Sequence, residues 1–144
     1  MQISVQRLHP NAVLPTVAHE GDAGCDLVAV EEVLLTKGGG RAMVPTGFAI
    51  AIPEGHGGFV LPRSGLAARS GVTCLNAPGL IDAGYRGEVK VVLVNHDLEH
   101  DYVVRPGDRI AQLVIMAVPP LSFEETATLP ASSRGAGGFG SSGR

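Results

Sequence analysis

A chain of 144 residues with 17% charged side chains, a net charge of −3 and no tryptophan has the length of one ordinary domain. It carries no basic stripe to track a nucleic-acid backbone, and no apolar run approaches the ~20 residues of a membrane span. The start Met1-Gln-Ile-Ser-Val-Gln-Arg-Leu-His-Pro10 lacks the apolar stretch of a signal peptide. The expected setting is therefore the cytoplasm, with no nucleic acid and no membrane as partner, and Cys25 and Cys74 are expected as reduced, packed thiols.

Twenty glycines and ten prolines punctuate the chain every few residues. Between them, short runs rich in Val, Ile and Leu predict strands at Ala12 to Pro15, Val33 to Leu35, Gly47 to Ile52, Phe59 to Leu61, Val89 to Asn95 and Ile110 to Pro119. This spacing is all-β, and a sandwich or jelly roll fits it best. Val89-Lys-Val-Val-Leu-Val94 is nearly continuous in apolar residues, which calls for cover on both faces, by a second sheet or by another subunit. One helix is predicted from Ser64 to Ser70, with Ser64 as its N-cap and Gly71 where a left-handed residue ends a helix. Beyond Pro130 the composition turns to Ser, Gly, Ala and Arg without apolar period. Residues 1–130 are read as the domain and 131–144 as a mobile arm.

Chemistry concentrates in a few segments. In Gly21-Asp-Ala-Gly-Cys-Asp-Leu27 an Asx turn accounts for Asp22, whereas Asp26, just before apolar Leu27 and Val28, is harder to dismiss. Pro62-Arg-Ser-Gly-Leu-Ala67 sets Arg63, Ser64 and Gly65 at the helix start, where unpaired N–H groups suit an anion and glycine permits its close approach. A capped helix with a surface arginine is an equal reading. Gln112, in the apolar strand Gly107-Asp-Arg-Ile-Ala-Gln-Leu113, is a costly amide unless it has a partner, either a ligand or backbone.

The densest segment is Asn76-Ala-Pro-Gly-Leu-Ile-Asp-Ala-Gly-Tyr-Arg-Gly-Glu88. Its turn residues predict a hairpin whose connection holds Asp82 and Tyr85, where packing needs neither. Free backbone groups of such a hairpin can read a base edge, and Lys90, alternating away from Val89 and Val91, can face the same pocket. The competing reading makes Asp82 a turn former and Tyr85 a half-buried aromatic. In the closing run Arg134-Gly-Ala-Gly-Gly-Phe-Gly-Ser-Ser-Gly143, Arg134 can fork onto phosphate oxygens and Phe139 offers a flat face, while composition alone describes a flexible linker. His96 and His100 stand in a polar loop and are not expected to hold zinc. With no Ser/His/Asp or Cys/His pattern, catalysis falls to a carboxylate, arginines and a metal.

Five segments in this order, Ala23-Gly-Cys-Asp-Leu27, Pro62-Arg-Ser-Gly-Leu-Ala67, Gly79-Leu-Ile-Asp-Ala-Gly-Tyr-Arg-Gly87, Asp108-Arg-Ile-Ala-Gln-Leu113 and the closing run, resemble the motifs of the homotrimeric, all-β dUTPase family. Each is moderately specific, and five in order are very specific. Cys25 stands where that family often has tyrosine, and Ala136 where a small polar residue is common. The resemblance implies a jelly-roll subunit with one short helix and a flexible C-terminal arm, assembled as a homotrimer with shared active sites. It also implies hydrolysis of dUTP to dUMP and pyrophosphate with Mg2+, lowering dUTP and supplying dUMP for thymidylate synthesis. Asp82 would activate the water that attacks the α-phosphorus, and Tyr85 would pack beneath the deoxyribose. Leu80 and Ile81, with Asn76 and Lys90, would read uracil. Arg63, Ser64, Gly65 and Gln112 would hold phosphates, Asp26 would position the hydrated metal through water, and Arg134, Phe139, Gly140 and Ser141 would close the site. Two rivals share the chemistry: a dCTP deaminase-like relative, which needs a glutamate beside the base and lacks the arm, and a non-enzymatic nucleotide-binding trimer, which has no need of Asp82.

Overall fold

The computed structural model describes residues 1–138. Within them the order is β1 (Ser4–Arg7), β2 (Cys25–Val28), β3 (Val33–Leu35), β4 (Arg41–Ala51), β5 (His56–Leu61), α1 (Ser64–Ser70), β6 (Val72–Cys74), β7 (Gly79–Ile81), β8 (Glu88–Asn95), β9 (Tyr102–Val104) and β10 (Arg109–Ala117). Two four-stranded sheets, β1-β4-β8-β6 and β2-β10-β5-β7, and a two-stranded β3-β9 pair are antiparallel throughout. One apolar core joins them. Val44, Phe48, Val91 and Leu93 come from the first sheet, Leu27, Val60, Ala111 and Leu113 from the second, Leu35 and Val104 from the pair, and Leu66 from the helix. No helix among the described residues is long and apolar enough to cross a membrane.

Alternation decides which side chains enter this core. In β8, Val89, Val91 and Leu93 are buried while Lys90 is exposed. β4 begins six residues before the expected Gly47, although Pro45 and Gly47 read as breakers. They are accommodated because the β4–β8 register shifts between Pro45 and Ala49, so the ladder is interrupted where proline offers no N–H. The expected strand from Ala12 to Pro15 does not form: that stretch has no ladder partner among the described residues, with Ala12 buried and its carbonyl held by the Arg7 guanidinium. β1, β2, β6, β7 and β9, each of three or four residues, were not among the expected strands.

The helix occupies its expected span, but its start differs in detail. Arg63, extended at φ −89° and ψ 123°, is the N-cap, and its carbonyl accepts from Ala67 N at 3.0 Å. Ser64 is therefore the first helical residue and makes no capping bond. The reason lies in Arg63's side chain, which donates from Nη1 to Arg109 O at 2.9 Å and ties the chain to β10 immediately before it coils. At the other end Gly71 adopts φ 63°, the left-handed region, and returns its N–H to Ala67 O at 3.1 Å.

One polar group is wholly enclosed at the end of β8. Asn95 Nδ2 donates to Leu35 O at 3.1 Å and His100 O at 3.0 Å, and its Oδ1 accepts from Asp97 N at 2.9 Å. It thereby fixes the loop carrying His96 and His100 against the β3 end. The N–H groups of Glu99 and His100, bonded to Asp97, hold that carboxyl below its ordinary range. Asn95→Ala strips partners from two carbonyls and one N–H at about 1 kcal/mol or more each. Chemical denaturation of the variant is expected to show a loss of about 3 kcal/mol, and a loss below about 1 kcal/mol would contradict this role.

Candidate functional site

β7 is an edge strand: it pairs with β5 through Gly79, Leu80 and Ile81 and leaves its other edge open. The expected hairpin is therefore corrected. β8 belongs to the other sheet, between β4 and β6, and residues 82–87 cross from one sheet to the other. A turn closed by Tyr85 N donating to Asp82 O at 3.0 Å begins that crossing. The open edge and the crossing form a cleft of about 220 Å³ lined by Met43, Leu80, Ile81, Asp82, Tyr85, Glu88, Val89 and Lys90. Asp82 is exposed at it, and Asn76 lies beside Gly79.

Tyr85 is held at the phenol end of its side chain. Its hydroxyl donates to Glu88 O at 2.9 Å, and its ring lies over Gly87, where a β-carbon would stand 2.5 Å from the phenolic oxygen. Only glycine fits beneath the ring. The Glu88 side chain completes the wall: Oε1 accepts from Gly47 N at 2.9 Å, and Oε2 lies 3.4 Å from Lys90 Nζ. Glu88, Gly87 and Met43 were not singled out from sequence. The first had a readable signal, since residues two apart on a strand share a face and Glu88 and Lys90 carry opposite charge.

A second constellation forms where β2, β10 and the start of α1 meet. Asp26 lies opposite Gln112, which lies opposite Leu61. Arg63 Nε stands 3.4 Å from Asp26 Oδ1, and Arg109 Nη1 donates to Oδ2 at 3.2 Å. Asp26 Oδ1 is buried and makes no hydrogen bond, although Arg63 Nε stands beside it as an ion-pair partner. Gln112 is exposed rather than enclosed, which removes the expected burial cost of its amide and turns it toward a hollow of about 540 Å³ shared with Asp26, Leu61 and Arg109. Ser64 is exposed and Gly65 partly so. Cys25 donates weakly to Leu113 O at 3.6 Å, and burial pushes its thiol up, as it pushes Cys74 to about 11; neither forms a disulfide.

Among the described residues no three His, Cys, Asp or Glu side chains are grouped to cage a metal. Asp26 Oδ1, which lacks a hydrogen bond and carries only the Arg63 ion pair, suits a hydrated Mg2+ that takes most of its ligands from an anionic substrate, because the substrate's charge is needed to offset both arginines.

The two constellations do not meet within one chain. Ile81 lies opposite Gly58, so Asp82 falls roughly 13 Å along β5 from the Leu61 row, and Asp26 is a further three strand spacings, about 14 Å, across the sheet. Arg134 joins neither: its Nε donates to Gly137 O at 2.8 Å in a local turn. Phe139, Gly140 and Ser141 lie outside the described residues.

Comparison with known proteins gives one answer. The sequence matches the dUTPase family model over residues 10–143. It is 54% identical to the deoxyuridine 5'-triphosphate nucleotidohydrolase of Thermobifida fusca, covering 99% of this chain and 79% of that protein. Identity is also 54% to that of Gloeobacter violaceus, over 99% and 97%. The fold superposes on the dUTPase of Staphylococcus bacteriophage 80alpha solved with dUpNHpp, with a TM-score of 0.87, 32% identity and 99% of each chain covered. It also superposes on a point mutant of the dUTPase of S. aureus phage phi11, whose structure reveals the coordination of a structural Mg(II) ion, with a TM-score of 0.81 and 27% identity over 91% of this chain and 100% of that one. Motif order, site geometry and these likenesses agree that the chain belongs to the dUTPase family.

Proposed function

We propose that the protein hydrolyses dUTP to dUMP and pyrophosphate, and that the open edge of β7, with Asp82 and Tyr85 beside it, is where the nucleoside binds. The observation that carries this reading is the cleft itself. A free strand edge supplies alternating backbone donors and acceptors to a base, a pinned aromatic ring supplies a floor for the sugar, and an exposed carboxylate stands within the same eight-residue lining. Asp82 acts as general base on the water that attacks the α-phosphorus. Leu80 and Ile81 read uracil through their backbone, with Asn76 and Lys90, and Tyr85 leaves no room for a 2′-hydroxyl. Arg63, Ser64, Gly65 and Gln112 hold the phosphates. Mg2+, when bound, neutralises charge on the phosphate oxygens, and Asp26 would hold it through water.

A deaminase reading needs a glutamate beside the base, and Glu88 does line the cleft. Its carboxylate, however, is engaged by Gly47 N and Lys90, which leaves Asp82 as the carboxylate free to act. Release of ammonia from dCTP would reverse that choice.

Because the nucleoside cleft and the arginine cluster lie at opposite ends of β5, a complete site draws them from different subunits of a jelly-roll homotrimer, with residues 131–144 as an arm that closes it through Arg134, Phe139, Gly140 and Ser141. Exposed apolar residues on the approach to that arm support the assembly: Leu121, Phe123 and Leu129 are 74%, 94% and 87% exposed, and a neighbouring subunit would cover them.

Asp82→Asn keeps shape and removes the base, so kcat is expected to fall about 10²-fold or more while the affinity for a non-hydrolysable dUTP analogue persists. Wild-type turnover in this variant would exclude Asp82. For the sugar, Gly87→Ala is expected to unseat the Tyr85 ring and narrow the preference for dUTP over UTP, as Tyr85→Ala does directly. Kinetics with both nucleotides check this, and an unchanged ratio in both variants would remove Tyr85 from discrimination.

The shared-site architecture has its own test. Truncation after Pro130 is expected to leave a folded trimer with little activity. Reassembly of equal amounts of truncated and Asp82→Asn chains should restore about a quarter of the sites, since half of the Asp82 donors and half of the arm donors are intact. Mixed trimers no more active than either parent would place Asp82 and the arm in one chain.

A further inference from the structure

Between Pro45 and Ala49, β4 runs through Thr46, Gly47 and Phe48 while β8 moves only from Lys90 through Val89 to Glu88. The extra length breaks the ladder, so backbone groups there need other partners. Side chains supply them. Thr46, buried, donates from Oγ1 to Val89 O at 2.6 Å, and Gly47 N donates to Glu88 Oε1 at 2.9 Å. Gly47 is itself fixed: it holds φ 74°, a β-carbon on it would meet His9 Cβ at 2.7 Å, and its carbonyl accepts from Leu8 N at 2.8 Å and His9 N at 2.9 Å.

One carboxylate oxygen of Glu88 is therefore anchored to rigid backbone, which aims the other. That oxygen, Oε2, lies 3.4 Å from Lys90 Nζ. Lys90 lines the same cleft as Asp82 and Tyr85, with 43% of its side chain exposed. A lysine so exposed ordinarily samples many rotamers, and ordering it on binding has an entropic cost. Here a neighbour two residues away, on the same face of β8, orders it in advance. An ammonium has three donors and no acceptor, so one donor turned to Glu88 leaves the others for an acceptor in the cleft. A uracil carbonyl is such an acceptor, whereas the amino group of cytosine is a donor. The same pairing occupies Glu88 Oε2, which if bare would favour that amino group.

We propose that Glu88 is a positioning residue for base selection: held by the Gly47 N–H, it fixes the Lys90 ammonium at the cleft and thereby favours uracil over cytosine. This rests on the reading that the β7 cleft holds the nucleoside. An ion pair this open to solvent contributes little to folding, so its effect is expected in substrate recognition and not in stability.

The experiment measures kcat and KM for dUTP and UTP, and the inhibition constant of dCTP, on full-length wild type, Glu88→Gln, Lys90→Ala, the double variant and Tyr85→Ala, with melting temperatures alongside. Glutamine keeps an acceptor for Gly47 N and removes only the charge that holds Lys90. Glu88→Gln is expected to raise KM for dUTP about fivefold, with kcat within about twofold of wild type and dCTP bound no more weakly. In the double variant KM should match that of Lys90→Ala, because a residue that acts through Lys90 then has nothing left to position. An unaltered KM in Glu88→Gln, an equal loss for dUTP and dCTP, a double variant in which the single effects multiply, or losses that follow melting temperature would each overturn the proposal. Should Lys90→Ala raise KM while Glu88→Gln does not, only the Glu88 assignment fails. If Lys90→Ala is silent and Tyr85→Ala still alters the preference for dUTP over UTP, the proposal falls and the nucleoside reading of the cleft stands. Silence of both Lys90→Ala and Tyr85→Ala would remove the nucleoside from this cleft altogether.

Discussion

Strand β5 is hydrogen-bonded along both edges, to β10 from His56 to Leu61 and to β7 from Gly58 to Val60. A strand held on both sides cannot slip by one residue without turning Val60 from core to solvent, so its register is fixed by burial. Everything of chemical interest hangs from its two ends. Leu61 leads through Pro62 into Arg63 and the helix, in the row that contains Gln112 and Asp26, and Gly58 sets the position of Ile81 and so of Asp82. The distance between the two constellations is thus a property of strand rise and not of any side chain.

The open edge of β7 is ordinarily a hazard, because unpaired backbone groups invite another strand. Here the strand has only three residues, and Pro78 immediately precedes it, which limits what can pair there. The adjoining crossing is braced by contacts that are local in sequence: Tyr85 to Glu88 O, and Arg86 to Ala83 O at 2.6 Å and Tyr85 O at 2.8 Å. More distant contacts, Glu88 to Gly47 through its side chain and to Ala49 in the ladder, tie the wall to the interrupted β4, so the irregularity in one sheet supports the cleft formed between both.

Much of this was legible in the sequence, for identifiable reasons. The helix was readable because Ser64 to Ser70 ends at Gly71, and the side chains of the motifs stand out as polar residues that packing does not require. The N-cap was misplaced because capping preference at Ser64 was overridden by a tertiary tie from Arg63 to β10. β4 was read short because Pro45 and Gly47 look like breakers until the register shift is seen. The hairpin was expected because residues 82–87 have turn chemistry, but local sequence does not reveal that the strands on either side belong to different sheets. Nor does the order of the motifs along the chain reveal that Asp26, Arg63 and Gln112 gather at one end of β5 and Asp82 at the other, since that grouping depends on long-range pairing.

Because the Tyr85 ring fills the volume that any β-carbon at position 87 requires, the two positions are not independent variables for an evolving sequence. Any side chain at 87 while Tyr85 remains breaks the contact and strands a bulky aromatic, whereas loss of Tyr85 first makes position 87 permissive. The order of steps is therefore constrained: drift at 87 is open only to lineages that have already given up the tyrosine. Paired retention of tyrosine and glycine two residues apart becomes a record of steric history, readable in an alignment as a coupled pair whose absences coincide.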